Sequence, residues 1–222
     1  MTNRHPVIIA SLLLGVFAII GTTLVSFTHL NTADRIAENE RLALLNKLHQ
    51  LIPAESIDND IVNDTLIVSD GRLGTEQSLV YLGRKQNQPV AAVIETVAPD
   101  GYSGKISMLV AVKVDGTLGG VRIVSHRETP GLGDKIDESK SNWILGFSGK
   151  SLGNPEMSRW KVKRDGGDFD QFTGATITPR AVVNAIANSL AFFRDNRDRL
   201  FIQNTQPKAE PVANAQTEGN QK

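Results

Sequence analysis

Between His5 and Ala33 the chain carries no Asp, Glu, Lys or Arg. Inside this gap lies the apolar stretch Val7–Phe27 (VIIASLLLGVFAIIGTTLVSF). A helix of about 20 apolar residues crosses the hydrocarbon core of a bilayer. Cleaved signals have a shorter apolar run and a small-x-small cleavage site, whereas Ser26-Phe27-Thr28-His29 stands here. Residues 1–33 are therefore read as an uncleaved, single-pass transmembrane anchor. Arg4 precedes the span, and Arg35, Arg41 and Lys47 follow it. That count leaves the orientation open, because the positive-inside rule weighs Lys and Arg near the span ends.

The rest of the 222-residue chain is long enough to bury one real core. It contains no cysteine, which removes thiolate-held Fe–S clusters, Cys-type zinc sites, c-type haem attachment and disulfides. Lys+Arg and Asp+Glu are both 24, so nothing in the net charge calls for nucleic acid. The histidines, His5, His29, His49 and His126, are too far apart for a local metal motif.

Residues 34–64 read as a juxtamembrane helix and linker. Ile36, Leu44, Leu45, Leu48 and Leu51 recur near helical period over Asp34–Ile52, and Pro53 ends the run. Residues 65–202 read as the folded domain. Strands are predicted at Thr65–Ser69, Ser78–Leu82, Pro89–Val97, Lys105–Val114 and Leu118–Ser125. In the fourth, Ile106, Met108, Val110, Val112 and Val114 alternate with Ser107, Ala111 and Lys113, a period of two. Asp115-Gly116 is a hairpin signal, and Pro99-Asp100-Gly101 with Gly104 marks another turn. Consecutive hairpins make an antiparallel meander, so the fold class is α+β with helices packed on the sheet. Glu138–Phe147 reads as a helix. A last helix starts near Pro179, with Thr178 as N-cap and Val182, Ile186, Leu190 and Phe193 as its apolar stripe. Residues 203–222 are polar and read as a disordered tail.

The chemistry concentrates in Asp168-Phe169-Asp170-Gln171-Phe172-Thr173-Gly174-Ala175-Thr176-Ile177-Thr178-Pro179. Three hydroxyls, those of Thr173, Thr176 and Thr178, stand close together just before a helix. Gly174 permits a tight turn, and the helix start presents unpaired N–H groups that suit a phosphate. Taken alone, such residues serve as ordinary caps and turns. A second stretch, His126-Arg127-Glu128-Thr129-Pro130-Gly131-Leu132-Gly133-Asp134-Lys135, has glycines that let backbone approach a flat ring. Alone it is a Pro-Gly turn after a strand.

Together these stretches carry a family resemblance. D-x-x-T-G-A-T, led by Asp170, resembles the attachment motif of FMN-binding domains that receive flavin from an ApbE-type flavin transferase. Thr129 to Gly133, within E-T-P-G-L-G, resembles a second motif of those domains, and Pro99–Gly104 matches their turn before the central strand. With the anchor, the order of motifs over residues 1–200 is similar to the G-subunit family of Rnf (also called Rsx) electron transport complexes. The C-subunit family of sodium-translocating NADH:quinone reductases shares the FMN module and is the alternative. The short chain fits the former better.

The resemblance implies FMN joined through its phosphate to the Thr176 hydroxyl. It implies contacts from Thr173, Gly174, Ala175 and Thr178, with Thr129, Gly131, Leu132 and Gly133 lining the ring, and Asp170 read by the transferase. It further implies a bacterial inner-membrane subunit with a periplasmic FMN domain. Its partners are the other Rnf subunits, and the complex is coupled to ion movement and linked in some relatives to keeping the redox regulator SoxR reduced. Neither a metal nor nucleic acid is implied. Two other readings stand beside it, an anchored assembly or binding module without redox role and an anchored hydrolase using a threonine or the aspartates.

Other residues have plainer readings. His126 suits a strand-end surface position, and Trp143 and Trp160 suit packing rather than ring stacking. Lys161, Lys163 and Arg164 read as a solvated edge strand. Asp168 and Asp170 resemble a carboxylate pair, but no further acid or base is placed beside them.

Overall fold

The computed structural model describes residues 5–202, with side chains from residue 8 onward. The expected tail at 203–222 lies outside the described residues. The chain divides into two compact units, Met1–Lys47 and Leu48–Lys222.

Helix α1, His5–Leu51, is a single element of 47 residues, and its residues 5–47 are the described part of the first unit. At 1.5 Å per residue such a helix is about 70 Å long. It is long and apolar enough to cross a membrane, and it anchors the chain there. Leu12, Phe17, Ile20 and Leu24 are exposed along it, which suits lipid rather than water. Thr28 and Thr32 donate to the Leu24 and Thr28 carbonyls at 2.8 Å, and Thr22 donates to Ala18 in the same way. Hydroxyls that bond back onto their own helix leave no polar group unsatisfied in hydrocarbon.

The second unit holds a five-stranded antiparallel sheet in simple order, β1 (Thr65–Val68), β2 (Ser78–Lys85), β3 (Gln88–Gly101), β4 (Gly104–Lys113) and β5 (Leu118–Ser125). The β2–β3 turn is made by Gln86 and Asn87, both at positive φ (51° and 63°). The β3–β4 connection is tighter than predicted. Pro99, Asp100 and Gly101 belong to β3, a register irregularity between Ala98 and Gly101 absorbs the proline, and Tyr102-Ser103 form the tip. At Asp115-Gly116 the predicted turn forms, with Gly116 at φ 84° and the Thr117 N–H donating to Asp115 Oδ1 at 2.8 Å.

Helix α2, Ile177–Ile202, lies on one face of the sheet. Val182, Ile186, Leu190 and Phe193 are buried there against Ile94, Ile106, Met108 and Val110. Buried Ser189 donates to the Ala185 carbonyl (2.9 Å) and so accepts from Thr96 of β3 at 2.8 Å. The second face is also covered. Ile52 and Ile57 sit over Gly83, and Leu51 sits over Gly119 and Gly120, where a Cβ would crowd them. Leu109 and Ala111, on the strand face that the alternation left to polar residues, are therefore buried as well.

Two predicted elements differ. Glu138–Phe147 is not an α-helix; only Trp143–Phe147 forms a 3-10 turn. The Lys161–Arg164 run is not an edge strand but a loop, touching the rest through the isolated bridge Val162–Phe169 and a 3-10 turn at Lys163–Asp165. Aromatic packing orders this irregular stretch. Phe147 and Phe169 stack at 4.8 Å, and Trp160 and Trp143 close the cluster from either side.

The far end of α2 is fastened by Arg84. Its Nε donates to Asp64 at 2.9 Å, an Nη donates to the Phe201 carbonyl at 3.2 Å, and its side chain is only 6% exposed. Arg84→Ala takes the charged partner from the partly buried Asp64 carboxylate, leaving it the Asn59 amide at 2.9 Å, and is expected to cost about 2 kcal/mol in urea denaturation. The same change at Arg194, an exposed ion pair, is expected to cost less than about 0.5 kcal/mol.

Candidate functional site

The segment before α2 is built around a β-turn. The Ala175 N–H donates to the Phe172 carbonyl at 3.1 Å, and Gly174 takes φ 80°. Phe172 is pinned edge-on against Trp143 at 5.2 Å, so the turn projects from the aromatic cluster with Thr173 and Gly174 exposed. Thr176 comes next, half-buried. Its carbonyl accepts from the Arg180 N–H at 3.3 Å, which makes Thr176, not Thr178, the residue that opens the helix. The Ile177 and Thr178 amides are then among the first-turn N–H groups without a helical partner, beside the positive end of a 26-residue helix. The Thr178 hydroxyl is engaged elsewhere. It is fully buried and donates to the Glu128 carboxylate.

The loop after β5 folds back on itself. Thr129 carbonyl accepts from the Leu132 and Gly133 amides, both at 3.1 Å, and Gly131 takes φ 76°. The Glu128 N–H donates to His126 Nδ1 at 3.1 Å. Glu128 is 4% exposed, and its Oε1 accepts from the Ser103 N–H at 2.9 Å. A Cβ on Gly133 would lie 2.9 Å from both Glu128 Oε2 and Thr178 Oγ1, so a side chain there would push the loop off the helix.

These pieces enclose a cleft of about 280 Å³. Thr129, Leu132, Gly133, Gly174, Ala175, Thr176 and Thr178 line it, which unites most of the two sequence stretches. Gly131, Thr173 and Asp170 are not on its wall. Asp170 is exposed, its carboxylate pairs with Lys163 at 2.5 Å, and its carbonyl accepts from Trp143 Nε1 at 2.9 Å. Asp168 pairs instead with Arg159, so the two aspartates form no carboxylate dyad. Trp160 is buried and donates to the Ser151 and Pro155 carbonyls, away from the cleft.

Sequence reasoning missed three lining residues, Glu128, Tyr102 and Ile177. Tyr102, Leu132 and Ile177 keep 67%, 42% and 44% of their surface exposed around one opening. The signal for Tyr102 was an aromatic at a hairpin tip, and for Glu128 a carboxylate inside an otherwise uncharged loop motif. A larger groove of about 440 Å³ lies on the other side of Ile177, lined by Arg72, Asp100, Arg180 and Asn184, and holds none of the motif threonines.

The cleft fits an FMN group in part. Apolar surface at Tyr102, Leu132 and Ile177 suits a flat ring, and the helix amides suit a phosphate. Ligand pockets usually measure about 300–1,000 Å³, so a cleft of about 280 Å³ has room for only part of such a group. No Lys or Arg lines it among the described residues, so anion binding falls to backbone amides.

The FMN-binding domain family pattern matches residues 101–191, and that of the RnfG N-terminal region matches residues 1–51. The G subunit of the ion-translocating oxidoreductase complex of Vibrio atlanticus (strain LGP32) is 47% identical over 193 residues, covering 86% of this chain and 92% of that protein. The protein of the same name from Shewanella amazonensis (strain ATCC BAA-1098 / SB2B) is 48% identical over 200 residues, covering 89% and 93%.

The first turn of α2 is tied to the loop before the motif by Arg180, whose Nε and an Nη donate to Asp165 at 2.6 and 2.9 Å. These bonds hold the Asp165 carboxyl below its ordinary value of 3.8. A lowered folded value means that the pair stabilises above the unfolded value and that this contribution is lost as pH falls through the folded one. Arg180→Gln is expected to move the Asp165 titration, followed by carboxyl-carbon NMR, up toward 3.8.

Proposed function

This chain belongs to the G-subunit family of ion-translocating oxidoreductase complexes, and we propose from that premise that it carries FMN covalently on Thr176 and relays electrons through it within such a complex. It is an FMN-binding electron-transport subunit held to a membrane by its N-terminal helix. One observation carries the attachment: Thr176 stands at the mouth of a long helix, in the cleft where both motif stretches meet.

FMN, when bound, supplies a centre that accepts one or two electrons. The ester would join Thr176 Oγ1 to the FMN phosphorus: the hydroxyl gives up its proton, the phosphorus of the transferase's flavin donor gives up its leaving group, and the chain gains one FMN less one water. The Ile177 and Thr178 amides, without helical partners, would offer donors to a phosphate held there and offset its charge. Leu132, Gly133 and Thr129 line the ring and keep water from one side of it. Thr178 serves indirectly, since its hydroxyl is committed to Glu128. Thr173 and Asp170 stand outside the cleft on the exposed turn and loop, where a flavin transferase of the ApbE type can read them. Under this reading the domain faces the periplasm from the inner membrane, and its partners are the other subunits of the complex.

The test is the mass of the denatured full-length chain after coproduction with an active flavin transferase. The expected gain is one FMN less one water on the peptide containing Thr176, absent in Thr176→Ala. An unmodified chain, or flavin persisting in Thr176→Ala, overturns the assignment.

A further inference from the structure

We propose that Glu128 is a tuning residue: its fixed carboxylate, in the wall of the cleft, opposes each electron added to the flavin and holds the reduction potential low. The inference rests on the FMN reading above.

Glu128 lines the cleft yet is 4% exposed. Both of its oxygens accept hydrogen bonds, one from the Ser103 N–H and one from the Thr178 hydroxyl. It is packed from two sides by glycines, because a Cβ at Gly101 or Gly133 would come within 2.9 Å of a carboxylate oxygen. The side chain therefore has nowhere to swing. Among the described residues no Lys, Arg or His forms an ion pair with it, and two neutral donors, the Ser103 amide and the Thr178 hydroxyl, meet its oxygens.

A structural role does not require that charge. Glutamine has the same shape; its Oε1 can accept from Ser103, and its amide can donate to the Thr178 oxygen. Burying a carboxylate where a neutral amide would satisfy the same partners costs desolvation energy. The charge itself is left to explain, and in a low-dielectric wall it acts strongly on its neighbours. An electron arriving at the ring adds one negative charge there unless a proton from water follows. Repulsion from Glu128 makes that addition less favourable. The carboxylate itself takes up no electron.

The experiment takes full-length wild type, Glu128→Gln and Thr178→Val, each coproduced with a flavin transferase and purified in detergent. Mass spectrometry reads the loading. Dithionite then supplies electrons, and the bound flavin is equilibrated with a viologen or phenazine dye of known potential. Glu128→Gln is expected to carry FMN on the same peptide and to favour the reduced flavin about tenfold more, about 59 mV for one electron. Thr178→Val keeps the shape but removes one donor, and is expected to shift the equilibrium the opposite way, by about threefold.

A loaded Glu128→Gln chain with an unchanged potential overturns the proposal. So does one that folds by circular dichroism but carries no flavin, since a tuning charge is not needed for attachment. If Glu128→Gln does not fold, Thr178→Val decides, and an absent or same-direction shift overturns it. An unloaded wild type instead overturns the FMN reading, and this inference with it.

Discussion

Three stretches far apart in the chain meet on one buried carboxylate. The hairpin tip at Ser103 donates an amide to Glu128, the first turn of α2 donates the Thr178 hydroxyl, and the loop at Gly133 presses its bare backbone against both. A buried carboxylate without donors is costly, so each of these contacts is held by the penalty of losing it. The cleft walls are the same three stretches. The side chain at 128 thus joins the three stretches that frame the cleft.

Behind the cleft, the regular and irregular parts of the domain are held by different physics. The sheet and α2 share a conventional apolar core, with the Thr96–Ser189 hydroxyl pair fixing their register. The stretch between β5 and α2 has little regular structure and relies on aromatic rings. Aromatics make up only 5% of the chain, and several of them, Trp143, Phe147, Trp160, Phe169 and Phe172, meet in this one place. They give the turn bearing Thr176 a rigid base without a strand or helix beneath it.

The parts of the fold legible in the sequence are those governed by local rules. The period-two alternation in β4 and the Asp115-Gly116 turn depend on near neighbours alone. Gln86-Asn87 was illegible as a turn because neither residue is glycine, although both adopt left-handed backbone. The four-residue spacing of Trp143 and Phe147 reads as one face of an α-helix, whereas the folded segment is a 3-10 turn inside the aromatic cluster. Much of the site was legible through its motifs. The role of Glu128 was not, since its partner hydroxyl lies 50 residues away. Thr178 reads as a helix cap from its neighbours, and only that distant carboxylate shows why it is buried instead.

The order of the strands bears on when the cofactor can arrive. Each strand pairs with its sequence neighbour, so a chain emerging from its N-terminus can zip the sheet as it goes, with little loop closure to wait for. Helix α2 comes last, and the wall of the cleft that bears Thr176 comes with it. A chain that stops before α2 lacks the wall of the cleft formed by Thr176, Ile177 and Thr178. If Thr176 carries the flavin as proposed, loading of the prosthetic group becomes a checkpoint on completed synthesis, and an immature subunit stays colourless and redox-silent until its final helix has docked.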